Sequence, residues 1–165
     1  YGDLHYFRKL RNMTAILKQL EGGAHANSLE ETISLAEQLA PTLPENITLC
    51  LQGPVGSGKT SFTSALAKAL GAQSPVTSPS YNLLSVHKTQ KRTILHLDAY
   101  RLDQQTSGET LSLDDLMESP WLLIVEWPEN IPNLLPPKRW WLRFDITGEK
   151  ERVIELDIPG NSKLV

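Results

Sequence analysis

The sequence predicts a single α/β domain with a mixed β-sheet. Segments with helical apolar periodicity alternate with short apolar strands, and two alternating stretches near the C-terminus are typical of an antiparallel hairpin. Of the 165 residues, 40% are hydrophobic and 21% are charged. This composition supports one packed core and excludes an intrinsically disordered protein, which would be poor in apolar residues and strongly charged.

Charge and cysteine content narrow the functional class. The net charge is −3, so the chain as a whole has no basic field that would attract nucleic acid, although a local basic patch is left open. The only cysteine, Cys50, allows no intrachain disulfide, and we therefore expect a cytoplasmic protein. The longest apolar runs, such as residues 121–125, are too short to cross a bilayer, and no membrane contact is expected.

Residues 1–23 are predicted to be an N-terminal extension, and residues 24–165 the folded domain. The chain begins with Tyr1, and its first methionine is Met13. Residues 1–12 are therefore interpreted as an expression remnant, an upstream extension or a processed end, and carry no part of the fold prediction. Gly22 and Gly23 end this segment.

The first half of the domain is predicted to fold as helix, strand, glycine-rich turn and helix. Ser28 and Glu31 form a capping box, and Pro41 stops the helix that follows it. A strand is expected at residues 47–51 and a second helix at 59–70. The apolar faces of the two helices are predicted to be Leu29, Ile33, Ala36, Leu39 and Ala40, and Phe62, Leu66, Ala69 and Leu70, respectively.

The second half is predicted to supply the remaining strands. Residues 121–125 are continuously apolar, as in strands buried on both faces of a sheet. Pro75 and Pro79 place residues 73–80 in a loop. The other predicted elements are strands at 81–87 and 93–97, a short helix at 112–117, and a hairpin of strands 140–146 and 152–158.

Residues 53–60 read GPVGSGKT and fit the P-loop pattern G-x-x-x-x-G-K-[ST]. Its glycines let backbone N–H groups converge on a β-phosphate, and the next helix adds its positive N-terminal end. Lys59 is expected to reach the β- and γ-phosphates, and the Thr60 hydroxyl to bind Mg²⁺. The alternative is an ordinary glycine turn, but strand, loop and helix follow in the order that the motif requires. The predicted phosphate cradle consists of Gly53, Gly56, Ser57, Gly58, Lys59, Thr60 and Ser61.

This motif refines the fold prediction to a P-loop NTPase-like, three-layer domain with a mixed sheet and a C-terminal antiparallel hairpin. Asp98 and Glu126 each follow an apolar strand, and ligands of open α/β sheets bind at the carboxyl ends of strands. Both are therefore predicted to face the phosphates, although solvated carboxylates at strand ends are the alternative. Spacing does not decide which of them binds Mg²⁺ and which orients the attacking water.

Three further side chains have two interpretations each. His96 shares a strand face with Asp98 and is either a core histidine or a site residue. Ser80, in a hydroxyl-rich loop between prolines, is either an ordinary loop residue or the source of a hydroxyl that contacts the γ-phosphate or Mg²⁺. Trp127 is either a core aromatic or an exposed interaction residue.

Four motifs in this order resemble the bacterial TsaE (YjeE) family: GPVGSGKTS at 53–61, SPSY at 78–81, HLDAYRL at 96–102 and VEWPE at 125–129. The resemblance spans roughly residues 28–158, and the last two strings are much more specific than the P-loop alone. It implies a small P-loop ATPase, with ATP and Mg²⁺ as cofactors, needed for N6-threonylcarbamoyladenosine (t6A) modification of tRNA. It also implies the TsaD–TsaB complex as partner, with TsaC supplying the threonylcarbamoyl-adenylate and tRNA met only indirectly.

The resemblance assigns roles to individual residues. It implies that Lys59 contacts phosphate, that Thr60 and Glu126 surround Mg²⁺, and that Asp98 acts beside them in hydrolysis. It also implies weak ATP hydrolysis by the protein alone, with catalytic help from the partner.

The same resemblance covers the rim of the site and shows one departure. Ser80 stands where the family usually has a threonine, Trp127 belongs to the rim, and Arg152 matches a basic residue near the nucleotide. The departure is that Pro54 and Val55 replace the acidic residue and the leucine usual in the family's P-loop. Their side chains should not touch phosphate, so we expect ATP binding to survive.

Two other functions are compatible with a P-loop. A small-molecule or nucleoside kinase would need a lid, usually with several arginines, yet no arginine lies between Arg101 and Arg139. A non-hydrolysing nucleotide-sensing module would not need Asp98 and Glu126.

Overall fold

Seven strands form one mixed sheet in the computed structural model, which describes residues 2–73, 83–103, 105 and 113–160. Four adjacent strands run parallel to one another, and the other three pair antiparallel with their neighbours on the two sides of this block. This confirms the mixed sheet and the C-terminal hairpin. The strands are β1 (Ala24–Ala26), β2 (Ile47–Gln52), β3 (Leu84–Lys88), β4 (Thr93–Asp98), β5 (Trp121–Glu126), β6 (Arg139–Ile146) and β7 (Arg152–Asp157), in the spatial order β1-β7-β6-β2-β5-β4-β3.

Among the described residues, helices cover the two faces of the sheet unequally. Three long helices pack on one face, and a four-residue helix with two short 3₁₀ turns lies on the other. In the described part of the chain, no helix combines the length and the apolarity that a bilayer span requires. The helices are α1 (Gly2–Glu21), α2 (Leu29–Leu39), α3 (Lys59–Ala69) and α4 (Leu113–Leu116), and 3₁₀ turns occupy Ala40–Thr42, Pro128–Asn130 and Pro132–Leu134.

Strand β5 is buried on both faces, as its apolar run predicts. Leu122 and Ile124 belong to the core under α1, α2 and α3, whereas Leu123 and Val125 belong to the smaller core on the opposite face. Because side chains alternate along a strand, this continuous apolar run fills two cores at once. Glu126 is the first charged residue after the run, at the carboxyl end of the strand.

The predicted apolar faces of α2 and α3 are partly wrong. Leu29 is 55% exposed and lines a cleft beside the glycine-rich loop, and Ile33 is half-buried. Ala36, Leu39 and Ala40 are buried as predicted, together with Thr32 and Leu35. In α3, Ala69 is exposed in the last turn, and Ala67 packs into the core. Helical periodicity identifies both helices correctly, but their neighbours decide which stripe is buried.

The second half of α1 is part of the packed structure. Ile16 and Leu20 are 3% and 0% exposed and lie in the main core, whereas residues 4–12 are all exposed. Gly23, with φ +84°, ends the helix, and its N–H bonds the carbonyl of Leu20. The chain then enters β1, a three-residue strand that the sequence did not reveal and that pairs with β7. The predicted boundary between residues 23 and 24 stays a prediction.

Replacing Leu20 with alanine tests whether the packing of α1 against the core contributes to the free energy of unfolding. Because Leu20 is fully buried, we expect Leu20→Ala to lower the free energy of unfolding by about 2–5 kcal/mol in urea denaturation. The matched control, Leu4→Ala, removes a side chain that is 83% exposed and should change it by less than about 0.5 kcal/mol. Equal, small effects of both variants would contradict the packing of α1 into the core.

Candidate nucleotide-binding site

The glycine-rich loop connects β2 to the N-terminus of α3. Gly58 precedes the helix in the left-handed conformation, with φ +101°, and offers no side chain to cap it. The first intrahelical bond runs from the Phe62 N–H to the Gly58 carbonyl at 2.9 Å, so the amides of residues 59–61 precede it. Unpaired amides at the positive end of an 11-residue helix make an anion-binding position.

Gly53 lies so close to β6 that no other residue fits. A Cβ there would lie 2.6 Å from the Phe144 carbonyl oxygen, 2.8 Å from the Phe144 Cβ and 2.9 Å from the Ser57 Oγ. The loop is therefore held against the backbone of the hairpin. Ser57 is 1% exposed, and its hydroxyl has no hydrogen-bond partner among the described residues. A buried hydroxyl left in this state costs about 1–3 kcal/mol, which a bound acceptor at the loop would offset.

Lys59 is buried at the first position of α3, with 6% of its surface exposed. Its ammonium donates to the Gly53 carbonyl and lies 3.9 Å from the centroid of the Trp127 ring, a cation–π arrangement. Burial lowers the pKa of Lys59 from its ordinary value, and the nearby carboxylates Glu126, Glu129 and Asp98 oppose this shift by favouring the charged form.

Glu126 is 4% exposed at the end of β5 and is held by two side chains. Its Oε2 lies 2.7 Å from the Nε2 of His96, and its Oε1 accepts a hydrogen bond from the Thr60 hydroxyl at 3.4 Å. Because an ionised carboxylate only accepts hydrogen bonds, His96 donates from Nε2. The histidine is completely buried, and among the described residues its Nδ1 has no partner.

Asp98 lies directly beside Glu126. The parallel register of β4 and β5 pairs these two residues at the carboxyl ends of their strands. Asp98 is half-buried, and its Oδ1 accepts a hydrogen bond of 3.0 Å from the Tyr100 N–H. A cleft of about 390 Å³ joins both carboxylates to Lys59 and Thr60.

Trp127 forms the rim of this cleft in a backbone conformation that is rare for a bulky residue. Its φ of +59° is left-handed, which costs roughly 1–2 kcal/mol. The Tyr100 ring packs edge-on against the Trp127 ring, with 5.1 Å between the ring centroids. The Asn130 side-chain amide donates to the Ala99 carbonyl at 2.9 Å. The ends of β4 and β5 thereby build the rim together. Strain maintained at the edge of a cleft is typical of functional sites.

Arg152 connects the glycine-rich loop to the turn of the hairpin. It donates to the Gly56 carbonyl at 3.1 Å and to the carbonyls of three turn residues: Gly148, Glu149 and Glu151. It also lines a second cleft of about 440 Å³ on the α2 side of the loop. The two clefts share Gly56, Gly58 and Ser61.

The structure therefore brings most of the predicted site residues together, while their roles in binding remain predictions. Gly53 and Ser57 support the loop, Arg152 lies at the second cleft, and Ser80 is outside the described residues. Sequence reasoning missed the contact of His96 with Glu126 and the position of Tyr100 in the cleft. The predicted residues that line the carboxylate cleft are Gly56, Gly58, Lys59, Thr60, Ser61, Asp98, Glu126 and Trp127.

A double-mutant cycle measures the bond between His96 and Glu126. From His96→Ala, Glu126→Ala and the double variant, we expect a coupling free energy of about 1.5–3 kcal/mol in urea denaturation, as for hydrogen bonds to charged groups. The same cycle with the exposed His25, on the edge strand β1, should give less than about 0.5 kcal/mol. Equal coupling in both cycles would contradict a specific bond.

Comparison with known proteins agrees with the motifs. A family model described as "Threonylcarbamoyl adenosine biosynthesis protein TsaE" matches residues 26–154. The tRNA threonylcarbamoyladenosine biosynthesis protein TsaE of Rickettsia felis is 34% identical over 131 residues, covering 79% of this chain and 76% of that protein. Its counterpart from Aquifex aeolicus is 38% identical over 131 residues, covering 78% and 90%.

A solved structure supports the same assignment. The crystal structure of Bacillus subtilis YdiB matches with a TM-score of 0.67 and 26% identity, covering 84% of this chain and 86% of that one. The predicted P-loop NTPase-like fold and the predicted family resemblance are thus both confirmed. The chain belongs to the TsaE family, whose members are named for the biosynthesis of threonylcarbamoyladenosine in tRNA.

Proposed function

We propose that the chain binds ATP with Mg²⁺ in the carboxylate cleft and hydrolyses it as an accessory protein of tRNA t6A modification, acting with TsaD and TsaB in the cytoplasm. The observation that carries the proposal is the meeting of four groups in one cleft: the ammonium of Lys59, the hydroxyl of Thr60, and the carboxylates of Asp98 and Glu126. The link to t6A rests on the names of the relatives.

The two clefts are assigned to different parts of a bound nucleoside triphosphate. Their shared residues, Gly56, Gly58 and Ser61, lie at the helix N-terminus, where phosphates bind best. The cleft with Asp98 and Glu126 is assigned to the γ-phosphate and the metal ion. The second cleft is assigned to the nucleoside, and there the hydroxyl of Ser61 is placed for the α-phosphate. The buried, unpartnered hydroxyl of Ser57 fits a loop built around an acceptor.

Thr60 and Glu126 are proposed to hold Mg²⁺. Hydroxyl and carboxylate oxygens are the hard donors that this ion prefers, and it usually takes phosphate oxygens for several of its other ligands. No group of three or more His, Cys, Asp or Glu side chains could hold a metal within residues 2–73, 83–103, 105 and 113–160. We therefore assign the ion to a site shared with the phosphates, where it would neutralise charge that develops during hydrolysis.

The reaction assigned to the cleft is attack of water on the γ-phosphate. Lys59 would exchange the Gly53 carbonyl for phosphate oxygens, because a bond between two charged groups is stronger than one to a neutral carbonyl. Glu126 is committed to Thr60 and His96, so Asp98 is the carboxylate assigned to orient the attacking water and accept its proton.

Full catalysis is proposed to need the partner. Lys59 is the cation that lines the carboxylate cleft, and the guanidinium of Arg152 donates to four carbonyls. A cation supplied in trans to the transferring phosphoryl group is worth roughly 10³–10⁵ in rate in P-loop enzymes. We assign this contribution to the TsaD–TsaB complex.

The proposal is tested by measuring ATP hydrolysis with Mg²⁺, alone and with purified TsaD–TsaB. We expect slow turnover alone and strong stimulation by the complex. Lys59→Ala should weaken ATP binding on the order of 10- to 100-fold, because the phosphates lose a charged donor. Lys68→Ala, which removes an exposed lysine from the same helix, is the matched control and should change nothing.

Four outcomes would contradict the proposal. ATP affinity that is unchanged in Lys59→Ala would exclude the P-loop as the binding site. Turnover only with a small-molecule acceptor would indicate a kinase, and binding without any turnover would indicate a nucleotide sensor. A lack of both stimulation by TsaD–TsaB and physical association would leave an ATPase with a different partner.

Trp127 should report nucleotide binding directly. When Lys59 turns to the phosphates, its ammonium leaves the Trp127 ring, and the fluorescence of that ring should change. We expect Mg-ATP titration to alter tryptophan emission in the wild-type protein and in Trp141→Phe, but not in Trp127→Phe. An undiminished change in Trp127→Phe would place the responsive tryptophan elsewhere.

A further inference from the structure

Positive charge is concentrated in helix α1. Helix α1 has four Lys and Arg side chains and two acidic residues, Asp3 and Glu21, near its two ends, so it carries +2 although the whole chain carries −3. The charge of the whole chain is therefore an average over an acidic body and a basic helix. The four basic residues are Arg8, Lys9, Arg11 and Lys18.

The first half of α1 extends beyond the packed core. Residues 4–12 are all exposed, and none of the basic side chains forms an ion pair with another side chain that the structure describes. Tyr6 and Phe7 are 61% and 64% exposed, and the centroids of their rings lie 6.2 Å apart. Exposed aromatic rings next to unpaired cations are typical of surfaces that a partner covers.

A groove beside α1 has the same chemistry. Its volume is about 480 Å³, and it lies between α1 and the end of α2. Arg8 and Lys9 contribute positive charge to its lining, and the side-chain amides of Asn12 and Gln19 contribute hydrogen-bond donors. A third amide in the lining, that of Gln38, already donates to Ser34. A groove with this lining fits a chain of phosphates.

The distribution of side chains around α1 favours RNA over a membrane. Helices that lie in a membrane interface separate an apolar face from a basic one. In α1 the two kinds of residue interleave: Lys9 is seven residues from the buried Ile16, hence on its stripe, and Arg11 is seven residues from the apolar Leu4. Cations for phosphates beside aromatic rings for bases are the combination that binds single-stranded nucleic acid.

We propose that the first half of α1 and its groove form a binding surface for RNA, with Arg8, Lys9 and Arg11 on phosphates and Tyr6 and Phe7 stacking on unpaired bases. Apart from Gln38 and Pro41 in the wall of the groove, the surface lies outside residues 26–154, which match the family model. The proposal does not depend on ATP hydrolysis. Transfer RNA, whose loops expose unpaired bases, is the RNA of the appropriate class.

The test is binding of a fluorescein-labelled, unmodified tRNA transcript, followed by fluorescence anisotropy at several salt concentrations. Neutralising three cations in Arg8→Gln/Lys9→Gln/Arg11→Gln should weaken binding by about tenfold or more. It should also lower the slope of log K against log[salt] by about two to three. Tyr6→Ser/Phe7→Ser should weaken binding without changing that slope, because stacking releases no counterions.

The matched control removes the same charge elsewhere. Lys68→Gln/Lys91→Gln/Lys138→Gln neutralises three exposed lysines away from α1 and should leave affinity and slope as in the wild-type protein. Because residues 6–11 are exposed, all variants should keep the wild-type unfolding midpoint.

Several results would overturn the proposal. Equal loss of binding in the two triple variants would show that affinity depends on net charge and not on α1. Undetectable tRNA binding by the wild-type protein would contradict the proposal directly. Tighter binding to phosphatidylserine-containing vesicles than to tRNA would assign α1 to a membrane surface. Tighter binding to polyglutamate would assign it to an acidic protein.

Discussion

The parallel register of β2, β5 and β4 is the constraint on which the rest of the site depends. It pairs Leu51 with Glu126 and Glu126 with Asp98, so that the strand leading into the glycine-rich loop and both carboxylates end at one edge of the sheet. Side chains alternate between faces, so a slip of one residue in β5 would exchange Glu126 for an apolar neighbour on the α3 side. The apolar run of β5 prevents this slip, because its two sets of side chains fill two cores of different size.

The site keeps two opposite charges, those of Lys59 and Glu126, in a largely buried place without a direct ion pair between them. The Glu126 carboxylate is hydrogen-bonded to His96 and Thr60. The Lys59 ammonium donates to the Gly53 carbonyl and lies over the Trp127 ring. Each set of partners compensates part of the cost of removing a charge from water. The partners of Lys59 are a neutral carbonyl and a ring, and a bond between two charged groups is stronger, so a bound anion would compete with them for the ammonium.

Sequence reasoning recovered what is local and missed what depends on distant packing. The P-loop, the strand ends at Asp98 and Glu126 and the C-terminal hairpin follow from patterns within a few residues. The bond of His96 to Glu126 joins residues 30 positions apart, and the strand β1 exists only because β7 lies beside it. The buried stripe of α2 was misjudged at Leu29 because that side chain lines the second cleft rather than the core. The position of Trp127 at the rim could be predicted because this residue directly follows Glu126 in the sequence. Its left-handed backbone conformation could not be predicted in this way.

The same limit applies to electrostatics. A net charge describes the chain at distances much larger than the molecule, but a partner at the surface meets the charges within about one Debye length, roughly 8–10 Å at physiological salt. At that distance the exposed part of α1 offers Arg8, Lys9 and Arg11, while the carboxylate cleft has Asp98 and Glu126 around one lysine. The balance of local charges therefore differs between the two surfaces, although both belong to one acidic chain. The net charge of the chain predicts the electrostatics of neither surface.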